Sequence, residues 1–262
     1  MITSNQNPKI KLVRALAGRP KDRRIEGAFL AEGVRLLEEA LAAKWPFRFA
    51  LYTEGLSERG GKLLRRLNIE GVAVYEVPQN LFASISETET SQGIIAVLDY
   101  VQLLVPKSPK FLLILDQIRD PGNLGTLIRT SVAAGVQAVL LPPETTDAFA
   151  PKVLRAGMGA HFRLPIHSLN WDEIEHICKS DNLRIFLADM HGESCWKTDL
   201  RNPMALIVGG EAQGASEHAL KLADTIVSIP MPGQVESLNA AVAGAVLMFE
   251  AARQRSNLRT GQ

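Results

Sequence analysis

The sequence predicts an α/β protein made of two consecutive domains, and three observations carry that expectation. Strand-like runs alternate with amphipathic helical segments from residue 28 onward. In the second half the strands, such as Phe111–Leu115 and Ala205–Val208, are almost continuously apolar. Strands of that kind belong to a mostly parallel sheet covered on both faces. Between the halves lies Asp99 to Lys110, with two prolines and no helical period, which reads as a linker. The expected domains are 1–105 and 106–262.

The first 24 residues carry Lys9, Lys11, Arg14, Arg19, Lys21, Arg23 and Arg24 against one acid, Asp22. Such a block is either a solvated face or a nucleic-acid contact. A short strand follows at 28–30, then a helix at 32–43, a strand at 47–52 and a helix at 57–67. A strand at 72–77, a short helix at 81–86 and a strand at 94–98 complete a small α/β sandwich. The second domain has expected strands at 111–115, 138–141, 164–166, 184–187, 205–208 and 225–229. Its last helix is expected at 238–255. Small residues fill that helix's first two turns, which suits either close approach of a ligand or tight packing on a sheet.

Bulk properties narrow the class. The chain has 262 residues, 46% hydrophobic and 22% charged, and a formal net charge of +1. Those are ordinary values for a globular protein, so any nucleic-acid contact must come from a local patch. No apolar run approaches the ~20 residues of a membrane-spanning helix, and the first residues show no signal-peptide core. Cys178 and Cys195 have no Cys-x-x-Cys spacing, so free thiols and a cytoplasmic location are expected. The five histidines lack metal-ligand spacing, and no metal is expected.

Three segments repeat one design, a strand running into a glycine turn with a polar residue near a helix start. They are Asp120-Pro-Gly-Asn-Leu-Gly-Thr-Leu-Ile-Arg129, Leu206-Ile-Val-Gly-Gly-Glu-Ala-Gln-Gly214 and Ile229-Pro-Met-Pro-Gly-Gln-Val-Glu-Ser-Leu-Asn239. Parallel strands aim their C-terminal ends at ligand crevices, and helix N-termini there attract anions. Arg129 can pair bidentately with a phosphate or bridge a surface helix. Asn123 and Ser237 can be helix N-caps, and Glu211 can be a helix-start carboxylate. The glycine spacing does not give the Gly-x-Gly-x-x-Gly fingerprint of a dinucleotide-dependent oxidoreductase.

Together these segments resemble the three motifs of the SpoU/TrmH family of RNA ribose 2′-O-methyltransferases, within the knotted SPOUT superfamily. Phe29-Leu-Ala-Glu-Gly33 and Glu87-Thr-Glu-Thr-Ser-Gln-Gly93 resemble that family's accessory L30e-like substrate-binding domain, so nearly the whole chain is covered. Ala212 and Gln213 depart from the second motif, where glycine usually follows the glutamate. The resemblance implies a trefoil-knotted C-terminal domain, S-adenosylmethionine as methyl donor and a homodimer formed through that domain. It implies catalytic roles for Arg129, Asn123, Glu211, Ser237 and Asn239. Gly209, Ile229 and Leu238 would bind the donor through main-chain groups, with Met231 and Ala188 close by. Lys9, Lys11, Arg14, Arg23 and Arg24 are the expected RNA contacts. Ribosomal RNA is the favoured substrate. A transfer RNA methyltransferase and a non-catalytic RNA-binding module of the same fold are the alternatives, and the latter should have lost Arg129, Glu211 or Asn239.

Overall fold

The computed structural model describes residues 1–210, 214–233 and 237–256. The chain groups into two compact units: Met1–Val101 with Asp147–Phe162, and Gln102–Thr146 with the chain from Arg163 onward. This is not a single cut near residue 105, because the segment 147–162 packs with the first unit.

The first unit opens with α1 (Pro8–Ala17) and α2 (Pro20–Glu26), each started by a proline whose fixed φ suits the first helical position. They are built into the unit rather than appended to it. Ile10, Val13 and Leu16 of α1 are fully buried in a core shared with Phe49, Leu51, Ile95 and Val97. The sheet comprises β1 (Ala28–Glu32), β2 (Phe47–Tyr52), β3 (Val74–Glu76) and β4 (Ile94–Asp99) in the order β1-β4-β2-β3. β4 is antiparallel to both β1 and β2, while β2 and β3 are parallel. Helices α3 (Val34–Ala42), α4 (Glu58–Ile69) and α5 (Gln79–Ala83) connect the strands. The helix expected from residue 32 starts two residues later. Glu32 still pairs in β1, and Gly33 turns the chain at φ 104°, which few residues other than glycine adopt.

The later segment, with α6 (Pro151–Gly157), is held to this unit by aromatic packing and one ion pair. Phe29 lies 5.0 Å from Phe149 and 6.4 Å from Phe162, and Trp45 lies 5.2 Å from Phe162. Arg23 Nε donates to Asp147 Oδ2 at 2.7 Å.

The second unit holds a sheet parallel at each of its strand pairs, in the order β10-β8-β9-β5-β6-β7. Its strands are β5 (Phe111–Asp116), β6 (Ala138–Leu141), β7 (Ile166–Ser168), β8 (Arg184–Ser194), β9 (Met204–Gly209) and β10 (Thr225–Ser228). Helices α7 (Pro121–Ala134), α8 (Trp171–Ser180), α9 (Glu217–Leu222) and α10 (Ala240–Ser256) complete it. Leu112, Ile114, Leu187 and Ile207 are buried against Ile174 and Cys178 of α8 and Ala219 of α9.

Two strands of the second unit have an end that differs from expectation by two residues or more. β7 begins two residues late, at Ile166. β8 runs seven residues past the expected Leu187, because Glu193 and Ser194 pair again with β10 after an excursion at 188–192. Gly192 makes that return possible: a Cβ there would sit 2.5 Å from the backbone of Ile226.

Candidate active site

Register places the C-terminal ends of three parallel strands side by side. Asp116 at the end of β5 pairs with Gly209 at the end of β9, and Ala188 of β8 pairs with Val208. Where the strands end, the chain closes a cavity of about 370 Å³ within the second unit. Ala188, Gly209, Ile229, Met231 and Leu238 all line it, as do Ser237 and Asn239. The segments after β8, after β9, after β10 and at the start of α10 therefore converge on one hollow, although up to 50 residues of sequence separate them.

Glycine is required at two positions of this wall. A Cβ on Gly210 would lie 2.4 Å from the Gln117 carbonyl oxygen, and one on Gly209 would lie 2.9 Å from Ala215 N. Both obstacles are backbone. Gly210 bridges to Gly214, so the chain doubles back at the end of β9. Asp116 anchors the far end of that loop: its buried Oδ2 accepts from Ser216 N at 2.7 Å. Ser216 in turn caps α9 by accepting from Ala219 N. The sequence reading overlooked Asp116, although an acid directly after the run Phe-Leu-Leu-Ile-Leu was the available signal.

The first and third motifs meet through asparagines. Asn239 Nδ2 donates to Asn123 Oδ1 at 3.1 Å, while Asn239 Oδ1 accepts from Ala241 N and Val242 N. Asn239 thus caps α10, a role offered to Ser237 by the sequence. Asp120 caps α7 by accepting from Asn123 N, so Asn123 is not the cap of its helix.

Arg129 is exposed on α7, six residues beyond Asn123, and does not line the cavity. Six residues are about 9 Å along a helix axis and about 120° around it. No described residue pairs with its guanidinium. Glu211, with Ala212 and Gln213, lies outside the described residues. Neither thiol belongs to this chemistry: burial pushes Cys178 up to about 12 and Cys195 up to about 11.

In the first unit the expected RNA contacts divide. Lys11, Arg14 and Arg24 are exposed, with Arg14 donating to Asn5 and Ser84. Lys9 holds its ammonium 4.8 Å from the Tyr75 ring centroid. Arg23 is a correction. It is 1% exposed, and its guanidinium is committed to Asp147, Leu16 O and Gly18 O. A basic residue in that setting holds the fold together, and its burial keeps a phosphate from reaching it.

The same unit has a polar cleft of about 650 Å³ between the end of β2, α5 and the loop 86–93. Glu32, buried beneath it, accepts from Ser86 Oγ and Thr88 Oγ1 at 2.6 Å each, and from Ser91 Oγ at 2.8 Å. Among the described residues, no cluster of His, Cys, Asp or Glu is placed to hold a metal ion, and no helix is long and apolar enough to cross a membrane.

Comparison with known proteins agrees with this layout. Residues 110–249 match the SpoU rRNA methylase family, and residues 7–96 match the MRM3-like substrate binding domain. The chain is 35% identical to the 23S rRNA (guanosine(2553)-2′-O)-methyltransferase RlmP of Bacillus subtilis, over 95% of this chain and 97% of that protein. The SpoU methyltransferase AviRb from Streptomyces viridochromogenes, solved in complex with the cofactor AdoMet, superposes with a TM-score of 0.85. That match has 28% identity and covers 96% of this chain and all of AviRb. An AdoMet-bound rRNA methyltransferase from Sinorhizobium meliloti superposes at 0.84, with 29% identity over 96% of this chain and 97% of that one. The chain belongs to the SpoU rRNA methylase family.

Proposed function

We propose that this protein transfers a methyl group from S-adenosylmethionine to a ribose 2′-hydroxyl of ribosomal RNA. The observation that carries this reading is the convergence of the glycine-bearing strand ends on one cavity, bridged to the first motif by Asn239 and Asn123. Names of relatives with near-complete coverage favour ribosomal over transfer RNA.

The residues present fit an adenosine-type donor. The wall is apolar in its side chains, with Val208, Ile229, Leu238 and Leu247, and it exposes main chain at Gly209 and Gly210. Flat apolar surface suits a purine ring, and main-chain groups can read its edge. When bound, S-adenosylmethionine supplies an electrophilic methyl on a sulfonium. The chain's own contribution is positional, which can provide much of the rate. Ser237, Asn239 and Asn123 line up from the cavity to α7 and would orient the ribose, with Glu211 in a supporting role. Arg129 has the chemistry of a phosphate anchor. A guanidinium stays protonated throughout the working pH range, so it holds the nucleotide rather than accepting the hydroxyl proton.

Several further assignments belong to the same reading. The second unit is a trefoil-knotted domain, as its membership of the SpoU family implies. The first is an L30e-like domain whose Lys9, Lys11, Arg14 and Arg24 grip RNA. Val132 on α7, with Val242 and Phe249 on α10, leaves apolar side chains exposed on the second unit. Two copies pairing there would cover them, and sedimentation showing only monomer at micromolar concentration would remove that pairing. Two cysteines that remain unpaired suit the cytoplasm.

The test is methyl transfer from radiolabelled S-adenosylmethionine to large-subunit ribosomal RNA from cells lacking this gene. The wild-type chain is expected to label a ribose, and Arg129→Ala to lose at least a hundredfold in rate while binding S-adenosylmethionine normally. Near-wild-type turnover in that variant would remove Arg129 from the mechanism.

A further inference from the structure

Asp189 is the one ionisable side chain among the described residues that line the donor cavity. It stands at the C-terminal end of the regular part of β8, next to Ala188, which pairs with Val208 of β9. Asp189 Oδ1 accepts from His191 N at 2.9 Å, an arrangement that fixes the carboxylate on its own loop. Oδ2 has no partner among the described residues, so a charged acceptor is presented at the cavity wall.

We propose that Asp189 is a specificity-determining residue that recognises the nucleoside ribose of the methyl donor, its carboxylate accepting from the ribose hydroxyls. This rests on the reading of the cavity as the S-adenosylmethionine site. The position in the sheet selects the ribose over the amino-acid arm. β8 is separated from β5 by β9, so the end of β8 lies about 10 Å across the sheet from the end of β5. The helix that follows β5 carries Asn123 and Arg129, so the reacting methyl belongs on that side and the nucleoside on the side of Asp189. Vicinal hydroxyls are the neutral donors that a strand-end carboxylate commonly takes in nucleotide sites. The carboxylate also repels the donor's own carboxylate, which reinforces the orientation.

Isothermal titration of the full chain with 5′-methylthioadenosine, S-adenosylhomocysteine and S-adenosylmethionine tests this. Methylthioadenosine keeps the nucleoside but lacks the amino-acid arm and the sulfonium charge. Asp189→Ala is expected to weaken all three by about tenfold, the loss of a hydrogen bond to a charged group. Asp189→Asn retains an acceptor for His191 N and is expected to weaken all three less. Should Asp189→Ala fail to fold, the Asn variant decides, and wild-type affinity for methylthioadenosine would then overturn the proposal. Weakening confined to the two ligands with an amino-acid arm also overturns it, by assigning the carboxylate to the ammonium. A wild-type chain that binds none of the three overturns the donor-site reading itself.

Discussion

Gly210 shows how one missing methyl shapes the cavity. Its would-be Cβ meets the backbone oxygen of Gln117 at 2.4 Å, and Gln117 is itself held at φ 54°, its N–H donating to Thr145 Oγ1. Neither neighbour can yield cheaply, so Gly210→Ala must displace the second-motif loop. Overpacking of this kind typically costs about 1–3 kcal/mol, and here it falls on the wall that Gly209 and Ala215 share. We expect Gly210→Ala to weaken S-adenosylmethionine binding at least tenfold by calorimetry. Gly233→Ala is the control, since a Cβ there meets nothing within 4 Å. Equal affinity of the two variants would show that the loop tolerates the shift. Asp116 acts on the same loop from the other end, through Ser216 N. The glycines were legible in the sequence because a strand-end glycine pair is a local signal. Asp116 had a local signal in the apolar run before it, but its partner, a hundred residues away, had none.

At the scale of elements, the loop 86–93 illustrates the difference between local and long-range legibility. Glu32 was read as the first residue of a helix, yet it remains in β1 and accepts hydrogen bonds from the hydroxyls of three residues of a loop more than 50 positions on. Nothing in its immediate neighbours shows that. The same limit applies to Arg23, a basic-block residue whose partner Asp147 comes from the segment 147–162. It applies also to β8, whose second pairing depends on β10. What could be read was the order of strands and helices and the three motifs, all carried by patterns within about ten residues. The Glu32 network makes its own prediction. Removing a buried carboxylate strands three hydroxyl donors and the Glu87 N–H, each worth about 1–3 kcal/mol when left unsatisfied, less where the loop can reach water. Glu32→Ala should therefore speed amide exchange across 86–93 and lower the stability of the first unit by about 2–4 kcal/mol. Glu32→Gln should fall between, since hydroxyls can rotate to accept as well as donate. Unchanged exchange in the Ala variant would show that the loop holds its shape without the carboxylate.

For the molecule as a whole, acid stability should be governed in part by His161, which lies with Phe149 and Phe162 in the first unit. It is 1% exposed, its ring is 5.6 Å from that of Phe149, and neither ring nitrogen has a hydrogen bond of normal geometry. Burial lowers its pKa from 6.5 to about 4, outweighing an opposing backbone contact from Ala148. The folded chain therefore refuses a proton that the unfolded chain accepts. Above pH 6.5 both states are neutral at this position, and its neutrality costs nothing. As pH falls from 6.5 toward 4 the unfolded state gains the proton first, so stability declines through that window and levels off below it. A shift of this size corresponds to roughly 3 kcal/mol. His161→Leu removes the titrating group while keeping an apolar side chain in an apolar site. Urea unfolding of the first unit can be followed through the buried Trp45, with Trp171 and Trp196 replaced by phenylalanine. The wild-type chain should lose roughly 3 kcal/mol relative to His161→Leu between pH 7 and pH 4. Parallel stability curves for the two proteins across that range would mean that the buried imidazole is solvated or paired in solution.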